Sequence, residues 1–564
     1  MTVRDTASAP SSCQSPGSSK PVPIPSDSAR AQPPRLFLVC LLIFVTALAI
    51  RLFYALPRPV PLTVDAAYYL AVAENIYGGR GLVCDYVWNY LAGLPSSLPV
   101  PSNEYWMPGA SIVTAAAFAL TGSASLRAAQ AVSLLLGALL CAITAWIGGL
   151  LFQRRSVAFL AGAFAVISFH LVGLALCPDH FMLAAVLVNL SLIALWLAWR
   201  GRTGFALLAG ALAALAYLTR TDGALLAIVA LLLAIGLFRR RDSARALRLA
   251  LYFLAAFALV SAPWWVHQTI VFGHPSGAGP LRTAFLTGYN DLFRLDQSHL
   301  NLRDYLRTSQ VFALFFKGYV LLWELRLLAR ATLLVGLLAL VSLLIAHHRR
   351  QTLPWLIYLA LAIVAPALIV PYPARKGVFW HLLPGLCPVL FVLGAATAVH
   401  MLEWAKRSAK PVSRLASRPA IILAFGSLLY WWACPPEDDE QTQGALYPPV
   451  ALDAVHALGT NPPPVLTDNS WGLYHVARIP CAQFPADGAD AALRVADSIG
   501  AAYFITRADA PDKIPAISEV ASHPRFQPFA RYQAGETRLL VYRILAPEQL
   551  LPQSPSASRR SMSQ

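Results

Sequence analysis

Long apolar segments separated by short polar loops fill the first three quarters of the chain. The first apolar run, 36–56, can cross a hydrocarbon core of about 30 Å at a rise of about 1.5 Å per residue. Ten further runs follow: 126–152, 156–175, 181–199, 204–219, 223–238, 246–271, 328–346, 353–371, 382–402 and 419–434. The pattern predicts a polytopic membrane protein, an all-α bundle of about eleven transmembrane helices.

The two ends of the chain have a different pattern. Residues 1–34 are rich in Ser, Pro and Ala without periodicity, which predicts a disordered cytosolic tail before a membrane module at 35–435. From 436 to 546 polar and apolar residues mix, with strand-like runs at 465–467, 501–505 and 539–544 and a helical run at 491–499. This segment predicts a small extracytoplasmic α/β domain, followed by a disordered tail at 547–564.

Basic residues give the chain an orientation. If the N-terminus is cytosolic, alternation places five basic clusters on the cytosolic side: 154–155, 200–202, 239–248, 347–350 and 403–418. Counting the short apolar stretch 108–120 as a crossing would move all five outside, so we interpret it as a surface or re-entrant helix in a first outer loop at 57–125. The expected location is the cell (inner) membrane, with the C-terminal domain outside.

Composition excludes several other classes of protein. Hydrophobic residues make up 57% of the chain and charged residues 13%, compared with about 25% charged in soluble domains. The net charge of +16 lies in the short loops, as membrane topology requires, so nucleic acid is not an expected partner. The sequence has no Walker A, G-x-S-x-G, H-E-x-x-H or Rossmann fingerprint, and we therefore expect no nucleotide cofactor.

Two acids stand at the expected outer edge of the membrane. Asp65 follows the first apolar run, and Asp179 lies in the motif Cys177-Pro-Asp-His180. Acids beside the bilayer indicate a functional site. The alternative for Asp65 is an N-cap of the amphipathic helix that ends at Gly78-Gly79.

Two further residues extend this group to a candidate metal site. Glu104 precedes the short apolar stretch, and His180 follows Asp179. If the loops bring Glu104, Asp65, Asp179 and His180 together, their oxygen and nitrogen atoms suit a divalent metal ion. Glu104 is otherwise a solvated acid beside interfacial aromatic residues, and His180 a helix-start residue without a role.

Candidate phosphate ligands come from basic residues on the outer side. Arg375 and Lys376 break the charge rule in the short outer loop 371–381, which indicates an anion at the membrane edge. The alternative is a tolerated exposed pair. Weaker candidates are Arg51, which can snorkel from the first span, Arg220, which can simply pair with Asp222, and Arg282 in the long loop 272–327.

An ordered set of short motifs resembles the GT-C superfamily of glycosyltransferases that use polyprenyl-phosphate sugars, especially protein O-mannosyltransferases and lipid A aminoarabinose transferases. These motifs are Asp65-Ala-Ala-Tyr-Tyr69, Gly78-Gly-Arg-Gly81, Met107-Pro-Gly109, Gly122 to Arg127, Phe152-Gln-Arg-Arg155, Cys177-Pro-Asp-His180, Tyr217-Leu-Thr-Arg220, Pro263-Trp264, Phe272-Gly-His-Pro275, and Arg375 followed by Leu383-Pro384. The sequence departs from the family at Ala66-Ala67, where many members have a second acid, and at Met107-Pro108, where Pro-Pro is common.

The resemblance implies a role for each matching residue. Asp65 becomes the catalytic base, Asp179 assists it or a metal, and Arg375 with Lys376 holds the lipid phosphate. It implies a sugar transfer from a polyprenyl-phosphate donor to a lipid, glycan or protein acceptor at the outer face. Two alternatives are a transporter or flippase of lipid-linked sugars, and a receptor-like or structural protein whose C-terminal domain performs the function.

Overall fold

A computed structural model describes residues 33–277, 279–407, 422–429, 447–510, 514–535 and 537–550. The expected tails at 1–34 and 547–564 lie largely outside these residues, and of the expected span at 419–434 residues 422–429 are described and are helical. Up to residue 407, the α-helices are α1 (Pro33–Ala55), α2 (Val64–Tyr77), α3 (Gly109–Thr121), α4 (Leu126–Phe152), α5 (Arg155–Ile167), α6 (Phe169–Leu176), α7 (Phe181–Trp199), α8 (Phe205–Thr219), α9 (Leu225–Arg239), α10 (Ser243–Phe272), α11 (Gly279–Arg282), α12 (Leu302–Arg307), α13 (Gln310–Leu343), α14 (Ala346–Gln351), α15 (Leu353–Ile369), α16 (Pro371–Pro373) and α17 (Phe379–Arg407). Three more, Val450–His456, Ser470–Ala477 and Ala489–Ile499, lie in the C-terminal part.

Long apolar helices form the membrane bundle. Among the described residues, seven helices are long and apolar enough to cross a membrane, and the count is eight if α5 and α6, which are bent by 56° at their break, form one span. The expected spans at 204–219 and 353–371 correspond to the shorter apolar helices α8 and α15. A multi-pass membrane bundle is therefore present, whereas the predicted count of about eleven is not confirmed.

Helix α17 runs through the middle of the bundle. Its residues from Leu382 to Val399 are buried, and α4, α5, α7, α13 and α15 pack around it. The prediction of a loop at 371–381 is wrong, because this segment is helical: α16 and a π-helical turn at Ala374–Val378 lead directly into α17. The predicted loop 272–327 is likewise too long, since α13 already begins at Gln310. Hydropathy detects only the part of a helix that lies in lipid. It therefore missed the first turns of α13 and α17, because these turns carry polar residues.

The π-helical turn depends on one glycine. Gly377 has φ 156° and ψ −26°, a backbone conformation that residues with a Cβ atom rarely adopt. This break in the helix lies directly after Arg375 and Lys376 and just before His381. The turn thus separates the directions of neighbouring polar side chains at one end of α17.

The segment 57–125 folds over the end of the bundle where α17 begins. It contains α2, the strands β1 (Val83–Cys84), β2 (Tyr86–Val87) and β3 (Val100–Pro101), and α3. Helix α3 has 13 residues, which corresponds to roughly 20 Å at about 1.5 Å per residue and is too short to cross about 30 Å of hydrocarbon.

The C-terminal part of the chain forms a six-stranded sheet. Its strands β4 (Val465–Thr467), β5 (Cys481–Gln483), β6 (Tyr503–Arg507), β7 (Phe526–Ala534) and β8 (Thr537–Ile544) are joined by β2 in the order β2-β5-β4-β6-β8-β7. The sheet is parallel from β2 to β6 and antiparallel at β8 and β7. Sequence patterning located β4, β6, β8 and the helix Ala489–Ile499, but it did not find β5, β7 or the edge strand β2.

Polar contacts attach this sheet to α2. The phenol of Tyr474 donates to Asp85 Oδ2 at 3.0 Å, and Arg478 forms an ion pair with Glu74 of α2. On the other side of Asp85, Arg80 contacts both carboxylate oxygens at 2.8 and 2.9 Å. Helix α2 is therefore fixed between the bundle and the C-terminal sheet.

Candidate active site

Asp65 lies in the first turn of α2. The N-cap of this helix is Thr63, whose hydroxyl accepts a hydrogen bond from the Ala66 N–H at 3.1 Å. The capping role that the sequence left open for Asp65 therefore belongs to Thr63. Because another residue satisfies the helix end, the Asp65 carboxylate is available for other partners.

Asp179 is buried beside the start of α7 and connects two loops. Its Oδ2 accepts from the Thr63 hydroxyl at 2.6 Å, and its Oδ1 accepts from the His180 backbone N–H at 2.6 Å. The Nδ1 atom of His180 lies against the same Oδ1. Both carboxylate oxygens are thus engaged, and Asp179 holds the His180 ring and the N-cap of α2 in place.

Arg220 reaches the same place from the end of α8. It precedes a tight 3₁₀ turn, Thr221–Ala224, in which a Cβ on Gly223 would lie 2.3 Å from the Tyr217 nitrogen. The guanidinium binds Asp222 through Nε and Nη2 at 2.9 to 3.2 Å. Arg220 and Asp222 do pair, as the sequence allowed, but the pair faces other polar groups.

His381 completes the cluster. Its Nδ1 lies 3.5 Å from Asp65 Oδ2 and 3.0 Å from Arg220 Nη1, and the same Nη1 lies 2.5 Å from His180 Nε2. Sequence reasoning ended its expected loop at His381 without assigning it a role. The available signal was a histidine next to the unusual Arg375-Lys376 pair.

Burial and neighbouring charges set the protonation of the two acids. Burial, and after it the negative charge of Asp179, raises the pKa of Asp65 well above its usual value, while Arg220 opposes this shift. Burial also raises the pKa of Asp179, but the His180 ring and the hydrogen bonds from His180 and Thr63 outweigh it and lower that pKa to about 2. The cluster thus has one firmly ionised acid, Asp179, and one acid, Asp65, that can accept a proton at higher pH.

Arg375 and Lys376, the two cations predicted to bind phosphate, have different neighbours. The Lys376 ammonium lies 5.6 Å from the ring centroid of Tyr289, and the charge of Asp65 contributes to the raised pKa of that phenol, after burial. Arg375 instead donates to the Tyr319 hydroxyl at 3.2 Å and stacks over Trp323 on α13. Lys376 is therefore on the side of Asp65, and Arg375 is on the side of α13.

Three other predicted residues lie away from this cluster. Arg51 is fully buried between helices, where Nη1 donates to the Ala47 carbonyl and Nη2 to the Cys141 sulfur. Arg282 donates to the Leu91 carbonyl. Glu104 is buried near Tyr68 and raises the pKa of that phenol after burial and Cys84.

Among the described residues, one group of three side chains has the spacing of metal ligands: Asp65, His180 and His381, with one donor atom from each within 4.8 Å of the others. Glu104 and Asp179 do not belong to it. Nη1 of Arg220 faces the nitrogen atoms of both imidazoles. Since an imidazole nitrogen has one lone pair, it cannot accept from arginine and bind a metal simultaneously. With Arg220 in place, these residues do not fit a metal.

Comparison with known proteins gives a fold but no sequence relative. No protein-family model and no curated protein matches the sequence. Solved structures of similar fold belong to GT-C glycosyltransferases.

Three of these structures illustrate the similarity. The oligosaccharyltransferase AglB from Archaeoglobus fulgidus, in complex with an inhibitory peptide and a dolichol-phosphate, has a TM-score of 0.53 at 13% identity over 91% of this chain and 75% of that chain. The same organism's oligosaccharyltransferase in complex with Zn and sulfate has a TM-score of 0.51 at 14% identity over 89% and 72%.

ArnT from Cupriavidus metallidurans bound to undecaprenyl phosphate has a TM-score of 0.54 at 13% identity, over 91% of this chain and 98% of that chain. The TM-scores show that the chain shares the fold of these structures, and at such low identities they show the fold alone. They leave the chemistry to be argued from the site.

Proposed function

We propose that this chain is a membrane glycosyltransferase that moves a sugar from a polyprenyl-phosphate donor to a hydroxyl group of a lipid, glycan or protein acceptor. The observation that carries the proposal is the Asp65 carboxylate beside the Arg220 guanidinium and two imidazoles, at the polar end of a membrane bundle. A base and a fixed cation at the membrane edge suit a substrate whose phosphate is attached to a lipid. Neighbours of the same fold bind dolichol-phosphate or undecaprenyl phosphate, which supports this donor class.

The proposed reaction uses Asp65 as general base. Its carboxylate takes the proton of the acceptor hydroxyl, whose oxygen attacks the anomeric carbon of the donor sugar. The bond between that carbon and the phosphate oxygen breaks, and polyprenyl phosphate leaves as an anion. Positive charge near the departing phosphate stabilises the transition state.

Lys376 is the proposed ligand of the donor phosphate. Its ammonium lies beside the ring of Tyr289, and the charge of Asp65 helps to raise the pKa of that phenol. An ammonium binds phosphate as a compact point charge and does not need the planar geometry of a guanidinium. We place Arg375 at the lipid side of the site, where its aromatic partners Tyr319 and Trp323 belong to α13.

The test of the proposed function measures bond breakage directly. Purified protein in liposomes receives a radiolabelled polyprenyl-phosphate sugar and a pool of acceptors, and released polyprenyl phosphate is quantified. We expect release that depends on an added acceptor. Donor binding or movement between leaflets without release would instead favour the transporter.

We propose that the site faces the outside of the cell, with the N-terminus in the cytosol. The basic clusters support this orientation, because Arg245 and its neighbours then lie inside. We expect a cysteine introduced at Ser243, next to that cluster, to resist a membrane-impermeant thiol reagent in intact cells. A cysteine at Ser518, on the C-terminal domain, should react. If only the cysteine at position 243 were labelled from outside, the proposed membrane orientation would be reversed.

We expect the pH profile of transfer to report the raised pKa of Asp65. As a base, Asp65 must be ionised, so kcat/KM should fall as pH drops through its raised pKa, well above the ordinary value of about 3.9. Asp179→Asn removes a like charge, which should lower the Asp65 pKa and move the acid limb to lower pH. Arg220, His381 and the phenols of Tyr69 and Tyr289 also face this site.

The measurement is kcat/KM against pH for both proteins in the same buffers, with the Asp179→Asn protein checked for folding by thermal unfolding. An acid limb that stays in place or moves to higher pH in Asp179→Asn would contradict the electrostatic account. A lower plateau without a shift would do the same, because it would show that Asp179 acts only by holding its neighbours.

A further inference from the structure

We propose that the Arg220 guanidinium takes the place that a divalent metal ion would take among Asp65, His180 and His381, so that this site works with a built-in cation and without a bound metal. The catalytic part of this inference rests on the proposed function. Its structural part, the exclusion of a metal by arginine, does not.

The geometry of the donors carries the inference. One ligand atom from each of the three residues falls within 4.8 Å of the others, which is a spacing that a single ion can bridge after small movements, since Zn–N bonds are about 2.0–2.1 Å long. Nη1 of Arg220 is 2.5 Å from His180 Nε2 and 3.0 Å from His381 Nδ1. The guanidinium and an ion would therefore compete for the same two lone pairs.

The surroundings keep these lone pairs directed at arginine. Nδ1 of His180 lies against Asp179, so the carboxylate assigns the ring proton to Nδ1 and leaves Nε2 as the acceptor. Asp179 thus acts as a positioning residue for an arginine site in the way that carboxylates orient histidine ligands of zinc.

Asp222 fixes the cation from the opposite side. It contacts Nε and Nη2 of Arg220 at 2.9 to 3.2 Å, and the arginine side chain is only 12% exposed. Arginine is not deprotonated in proteins, so the charge is present at every working pH. A metal, by contrast, must be captured from solution.

One fixed positive charge meets the needs of the proposed reaction. The proposed transfer splits a phosphodiester with one negative charge into a phosphate monoester that gains a second one, so positive charge nearby stabilises the transition state. A preorganised cation in a site protected from water does this without a change in its own environment during the step.

Metal binding tests the structural part without reference to activity. Cobalt(II) is titrated into the detergent-solubilised full-length protein, and its visible absorption and its stoichiometry by elemental analysis are measured. We expect no cobalt at this site in the wild type. We expect about one ion per chain in Arg220→Ala, and none in the double variant Arg220→Ala/His381→Ala. Arg58→Ala, which removes an exposed arginine, is the control and should resemble the wild type.

Two results would overturn the structural part. One is stoichiometric cobalt in the wild type that disappears in His381→Ala, because a metal would then coexist with Arg220. The other is a folded Arg220→Ala protein that binds no cobalt. Since Arg220→Ala leaves Asp222 without its partner, Arg220→Gln is measured in parallel, and the wild-type result decides alone if neither variant folds.

Activity tests the catalytic part. We expect wild-type transfer to persist after extensive treatment with EDTA and 1,10-phenanthroline, and Arg220→Gln to lose roughly 100-fold in kcat, the lower end of the loss from removing one charge-stabilising donor. Arg220→Lys should recover part of this loss, because it restores charge without the planar geometry. Loss of transfer on chelation and its recovery with added metal would overturn this part. A wild type that transfers no sugar refutes the proposed function, while the cobalt result still decides the place of Arg220.

Discussion

Asp65→Asn should abolish most turnover while the protein stays folded. We expect the rate of polyprenyl phosphate release to fall by at least about 100-fold, the lower range for loss of a general base. An amide has nearly the shape of a carboxylate but cannot take the acceptor proton. The fold should tolerate the change because Thr63, and not Asp65, caps α2, and because Asp65 Oδ2 lies no closer than 3.5 Å to the His381 ring nitrogen Nδ1.

The matched control for this variant lies on the same helix. Glu74→Gln makes the same chemical change on the face of α2 that contacts Arg478, and exposed ion pairs contribute little, about 0–1 kcal/mol. Both proteins are compared by thermal unfolding and by single-turnover release. If Asp65→Asn turned over like the wild type, another residue would have to act as the base.

Lys376→Ala should weaken donor binding by one to two orders of magnitude. A charge-assisted contact to phosphate contributes roughly 1.5–3 kcal/mol, and at about 1.4 kcal/mol per factor of ten this range corresponds to a loss of about 10- to 100-fold. The measurement is the Kd of a polyprenyl phosphate in detergent or nanodiscs. Acceptor binding should be unchanged.

The neighbouring residue supplies the control. Arg375→Ala removes a charge one position away, but its guanidinium contacts Tyr319 and Trp323 of α13. We therefore expect its effect on donor Kd to stay within about fivefold, as for an exposed ion pair. An equal or larger loss in Arg375→Ala would assign the phosphate to the side of α13, as the sequence alone allowed.

The sequence by itself determined the class of protein and pointed to two acids of the candidate site. Long apolar runs, short basic loops and a polar C-terminal segment are local properties of the chain, so hydropathy and charge identified a membrane bundle with an attached α/β part. Asp65 and Asp179 were recognisable because an acid next to an apolar run stands out from its neighbours. The helix Ala489–Ile499 was found from its own periodicity, and β4 from its short strand-like run.

Only the tertiary structure decided which side chains meet. Arg220 contacts His180 and His381, which are 40 and 161 residues away along the chain, and no local pattern encodes such distances. His381 escaped notice because α17 continues as helix through a region whose polarity suggested a loop. The strand β2 was missed because a two-residue edge strand has no periodicity and forms only against β5. These features depend on packing between distant segments, whereas the spans depend on the free energy of placing each segment in lipid.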